Sequence, residues 1–90
     1  MQVSYSIADC SHVAAIPVIA SFTPKGEIAP VYVRIEEEPL KVHSYFVLDR
    51  NIAGISFSCK LECHGIIRTV ELYYSFLEHT WFQPHYIPFT

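Results

Sequence analysis

Ile55-Ser56-Phe57-Ser58-Cys59-Lys60-Leu61-Glu62-Cys63 alternates apolar and polar side chains without a break, and His64-Gly65 follows as a turn. Residues two apart on a strand share a face, so Ile55, Phe57, Cys59, Leu61 and Cys63 point to a core and Ser56, Ser58, Lys60 and Glu62 to water. The same period recurs on both sides. Before it, Val31, Val33 and Ile35 alternate with Tyr32, Arg34 and Glu36, and Leu40, Val42, Phe46 and Leu48 with Lys41, His43, Tyr45 and Asp49. After it, Val70, Leu72, Tyr74 and Phe76 alternate with Thr69, Glu71, Tyr73 and Ser75, and a short last strand places Phe82 inward between Trp81 and Gln83. Ala14 to Phe22 is apolar on both faces and holds Pro17, the mark of an edge or bulged strand.

Turn residues separate these stretches at Thr23-Pro24-Lys25-Gly26, Glu37-Glu38-Pro39, Asp49-Arg50-Asn51, Cys63-His64-Gly65 and Leu77-Glu78-His79. Pro24 suits the second position of a type I turn and Gly26 the fourth. Even spacing of turns makes sequence neighbours pair, so the expected fold is all-β, an antiparallel meander of five to six strands. Strongly twisted strands with one buried face curl and hide their edges, which predicts a small SH3-like barrel; an open sheet packed in a dimer is the alternative. The domain spans residues 13–83. Residues 1–12 form an N-terminal extension, and 84–90 a Pro/aromatic tail expected to dock on its own chain or on a neighbour.

The 90 residues are 51% hydrophobic and 17% charged, a balance that excludes disorder and coiled coil. A net charge of -3 offers no broad basic field for a phosphate backbone. The longest apolar run, Val13 to Ala20, is too short for a membrane span and is broken by Pro17, and no Lys or Arg precedes it as a secretion signal would require. Three cysteines, an odd number, read as reduced thiols. The expectation is a cytoplasmic protein with no membrane contact.

Ile16-Pro17-Val18-Ile19-Ala20-Ser21-Phe22-Thr23, then Gly26-Glu27-Ile28-Ala29-Pro30-Val31-Tyr32-Val33-Arg34, resembles the opening of a family of short proteins from Gram-positive anaerobic bacteria. The resemblance runs on through Lys41-Val42, Phe57-Ser58-Cys59 and Trp81-Phe82, covering roughly residues 16 to 82. It implies a compact bacterial β-protein, with carriage on mobile elements as an expectation, and no activity or site residue to carry over. The N-terminal segment and the Pro-rich tail depart from the family pattern.

Cys10, His12, Cys59, Cys63 and His64 raise the question of zinc. Cys59 and Cys63 stand four residues apart on one strand, ~13 Å between Cα atoms, whereas thiolates on one zinc lie ~4 Å apart. Hence no metal and no other cofactor is expected. Cys63-His64 cannot form a nucleophile pair on a strand, Gly26, Gly54 and Gly65 stand alone, and Glu36-Glu37-Glu38 reads as a solvated turn, so no enzyme is expected. The outward aromatic and basic residues Tyr32, Arg34, Lys60, Tyr73 and Trp81 are the candidate binding surface, since these residue types anchor partners. The expected function is a protein-interaction module with a protein partner and homodimer formation. Single-stranded nucleic-acid binding by the small barrel is the alternative.

Overall fold

The alternating stretches form seven strands: β1 (Val13–Ala15), β2 (Val18–Phe22), β3 (Ile28–Ile35), β4 (Glu38–Arg50), β5 (Gly54–Cys63), β6 (Ile66–Ser75) and β7 (Thr80–Pro84). In the computed structural model, which describes residues 13–84, they build one antiparallel sheet in the order β1-β7-β6-β5-β4-β3-β2. No helix occurs among the described residues. The sheet curls into a half-barrel.

Seven strands replace the five or six expected because Ile16-Pro17 divides the first one. The Ile16 N–H donates to the Trp81 carbonyl and the Arg34 N–H to the Pro17 carbonyl, each at 3.0 Å. The chain therefore leaves β7 at one edge of the sheet and joins β3 at the other within two residues. A covalent joint between opposite edges holds the sheet curled.

Pairing corrects two registers. Val42 pairs Leu61 but Ser44 pairs Lys60, leaving His43 as an extra residue; Val47 pairs Phe57 and Asp49 pairs Ser56, leaving Leu48 as a second. Each bulge exchanges the faces of the residues beyond it. Tyr45 thus turns inward, its ring edge-on to Phe57 at 5.6 Å, while Phe46, expected in the core, faces out. Leu48, also expected inside, is exposed. In β7 the exchange is complete: Trp81 and Gln83 are buried and Phe82 is half-buried. A third irregularity follows Pro30, which pairs Ala20 while Tyr32 pairs Ile19, so Val31 is the surplus residue beside a proline that cannot donate.

Ile16, Val33, Ile35, Leu40, Ile55, Phe57, Cys59, Leu61, Leu72 and Trp81 form the core. Four of its members lie on β5, the central strand and the one with unbroken alternation. The first hairpin closes as expected, with the Gly26 N–H donating to the Thr23 carbonyl at 2.8 Å. The second turn sits a residue earlier than expected, at Glu36-Glu37, both with positive φ. Residues 1–12 and the tail beyond Pro84 lie outside the described residues, and Pro84 itself ends β7.

Candidate interaction surface

The five residues singled out from the sequence do not form one patch. Tyr32 shares an outward row with Lys41 and Glu62, whereas Tyr73 stands opposite Ser56, six residues along β5 from Glu62. That separates the two tyrosines by roughly 20 Å along the strands, with two strands between them. Lys60 lies between the rows, flanked by Ser44 and Thr69. Trp81 belongs to the core: only 7% exposed, it packs on Phe57 and Tyr74 with ring centroids 5.4 and 5.1 Å away. It is removed from the binding set, because its side chain is on the opposite face from the one expected.

Tyr32 and Arg34 do come together, on the wall of an open groove of about 400 Å³ that also includes Pro17, Ile19, Glu37 and Pro39. A second hollow of about 370 Å³ lies on the other side of Arg34 and reaches Gln83. Gln83 is buried, and its Oε1 has no hydrogen-bond partner among the described residues. Alternation in a five-residue strand with two adjacent aromatics could not have placed it inside.

A run of exposed apolar side chains lies elsewhere. β3 pairs β4 only over Glu38 to Lys41, so from Ser44 to Arg50 no described strand covers the second edge of β4. On that stretch Tyr45, Phe46, Val47 and Leu48 are 39%, 60%, 40% and 49% exposed, and Ile52 in the following turn is 98% exposed. Unpaired backbone N–H and C=O groups run beside these side chains, which makes the stretch a template for another strand. The signal was present in the sequence as Tyr45-Phe46-Val47-Leu48, but unbroken alternation would have assigned half of it to the core.

At one end of the sheet two tight turns lie side by side. Glu36-Glu37 joins β3 to β4 and His64-Gly65 joins β5 to β6, with positive φ at all four residues. The His64 Nε2 is 3.1 Å from the Glu38 Oε2, and Cys63 offers its Sγ to the same cluster, the donor atoms all within 4.8 Å of one another. Cys59, by contrast, is fully buried in the core, and burial pushes its thiol up to about 12. It stays neutral and inert at ordinary pH.

No helix among the described residues is long and apolar enough to cross a membrane. Comparison of the chain with protein-family models, curated proteins and solved structures finds no match.

Proposed function

We propose that this protein is a non-enzymatic, cytoplasmic protein-interaction module that recruits an extended strand to the open edge of β4, with a second copy of itself as the partner. The exposed Tyr45-Phe46-Val47-Leu48 edge carries this reading. Strand addition to a sheet edge draws affinity from main-chain hydrogen bonds and selectivity from alternate side chains.

The segment is complementary to itself. Two copies of β4 related by a twofold axis through Phe46 bring Tyr45 opposite Val47 and Phe46 opposite Phe46, the aromatic and β-branched pairs that stabilise antiparallel strands. The likeness to SH3-like barrels rests on the curled antiparallel meander alone, and the family resemblance of residues 16 to 82 adds a bacterial setting to the proposal. Single-strand nucleic-acid binding is less well supported. Tyr32 and Tyr73 stand too far apart to stack neighbouring bases, and Glu62 and Glu71 interrupt the basic residues of the outer face.

Sedimentation velocity over a concentration series tests the proposal. The full chain is expected to move from monomer to dimer in the micromolar range, and Phe46→Lys to stay monomeric with an unchanged far-UV circular dichroism spectrum. A chain that remains a monomer at several hundred micromolar, or a Phe46→Lys variant that dimerises as well as the parent, sinks the reading.

A further inference from the structure

From the juxtaposition of Glu38, Cys63 and His64 where the β3–β4 and β5–β6 turns meet, we propose that this rim of the half-barrel binds one zinc ion. The three residues come from three places in the fold. Glu38 opens β4, Cys63 closes β5, and His64 is the first residue of the turn after it. Because both turns consist of two residues and lie at the same end of the sheet, adjacent hairpins present their side chains to one point.

The donor set suits a borderline metal: one thiolate, one imidazole and one carboxylate, each a common zinc ligand. The spacing suits it as well. Donor atoms bonded to one tetrahedral zinc at ~2.0 to 2.3 Å stand ~3.3 to 3.6 Å from each other. The Nε2 of His64 and Oε2 of Glu38 are already 3.1 Å apart, and all three donors fall within 4.8 Å. Rotation of side chains at the rim closes the remaining gap, with no shift of the strands required. Three protein donors leave a fourth position for water.

Binding replaces the proton on the Cys63 sulfur by the metal and releases that proton to solvent; it also breaks the 3.1 Å contact of His64 with Glu38, so that His64, neutral with its proton on Nδ1, coordinates through Nε2 and Glu38 through a carboxylate oxygen. The distance that keeps Cys59 and Cys63 from sharing a zinc does not touch this site. Its ligands meet across neighbouring hairpins, and Cys59 takes no part.

Cobalt(II) is the probe, since one bound thiolate gives a sulfur-to-cobalt charge-transfer band that zinc then displaces. The reduced, metal-free full chain should bind one Co²⁺ with this band, and Zn²⁺ should remove it at stoichiometric addition. Cys63→Ser should abolish the band; His64→Ala and Glu38→Gln should each weaken zinc binding at least tenfold in competition with a chromophoric chelator, while Cys59→Ala should bind as the parent does. His64 is exposed but holds a positive φ, so circular dichroism checks that its variant is folded, and Glu38→Gln, at a position of ordinary φ, keeps the test standing even if Cys63→Ser fails to fold. Absence of the band in the parent, its loss in Cys10→Ser instead, or zinc affinity unchanged in both His64→Ala and Glu38→Gln overturns the assignment.

Discussion

Trp81 of β7 lies against Phe57 of β5 across the inner face, their ring centroids 5.4 Å apart and their planes inclined by 34°. β6 runs between these strands, and its Tyr74 packs on the same indole at 5.1 Å. Three strands of the half-barrel are therefore tied by one aromatic cluster.

Trp81→Ala is expected to cost ~3 to 5 kcal/mol of folding stability, the range for deleting a large buried aromatic, and a domain of this size has only ~5 to 10 to lose. Urea unfolding followed by circular dichroism measures it. A loss below ~1 kcal/mol would return Trp81 to the outer face.

Gly54 is a glycine by necessity of space. A Cβ there would run into the Tyr74 carbonyl oxygen and the Tyr73 ring and hydroxyl. The Tyr73 side chain thus covers a bare position on the neighbouring strand, a structural task that competes with any role as a binding residue. Gly54→Ala should destabilise the fold by ~1 to 3 kcal/mol. Adding Tyr73→Ala should not restore it, because the backbone clash persists; full rescue in thermal melts would show that only the ring was in the way.

Asn51 organises the β4–β5 turn: its Oδ1 accepts from the Ala53 and Gly54 N–H groups at 2.8 and 3.1 Å, and its Nδ2 donates to Asp49 Oδ2 at 2.9 Å. The site is exposed enough for water to replace part of this, so Asn51→Ala is expected to cost ~1 kcal/mol. Equilibrium unfolding resolves such a change, and a neutral or stabilising result would contradict the role.

Cys59 couples stability to alkaline pH. The folded thiol titrates at about 12 and the unfolded thiol near 9.0. A raised folded value means the native state holds the proton longer, so the contribution is intact below pH 9 and is lost as pH rises toward 12. Halfway through that window the loss is ~2 kcal/mol. Cys59→Ala should lower stability at pH 7 through the cavity it leaves, yet show a flatter decline above pH 9 than the parent. Parallel decline of the two proteins would mean that Cys59 is not the titrating group.

How far the chain could be read alone differs strand by strand. β5 alternates without interruption and β3 does so from Tyr32 onward, and there the residues expected inside, Val33, Ile35, Ile55, Phe57, Cys59 and Leu61, are inside, whereas Val31, also expected inward, is the surplus residue of a bulge and only half-buried. The Thr23–Gly26 turn was equally plain, since the chemistry of Pro and Gly acts within four residues. In β4 the same rule failed at His43 and Leu48, because a bulge is a property of two strands and leaves no mark on the period of one. In β7 the adjacent pair Trp81-Phe82 offers alternation in either phase, and only pairing to β6 and the space beside Phe57 choose between them. The open edge of β4 and the meeting of Glu38 with Cys63 and His64 were beyond reach for the same reason.

Read alone, the chain yields the all-β class, the meander and the faces of β5 and of β3 from Tyr32 onward, because an extended chain turns its side chains over at every residue whatever surrounds it. That β1 pairs β7, which phase β7 adopts, where a surplus residue reverses the faces, and how Ile16-Pro17 divides one strand between two edges are set by contacts between distant strands. Those outcomes depend on backbone hydrogen bonds between residues distant in the chain, and the energies of such bonds are set by their partners.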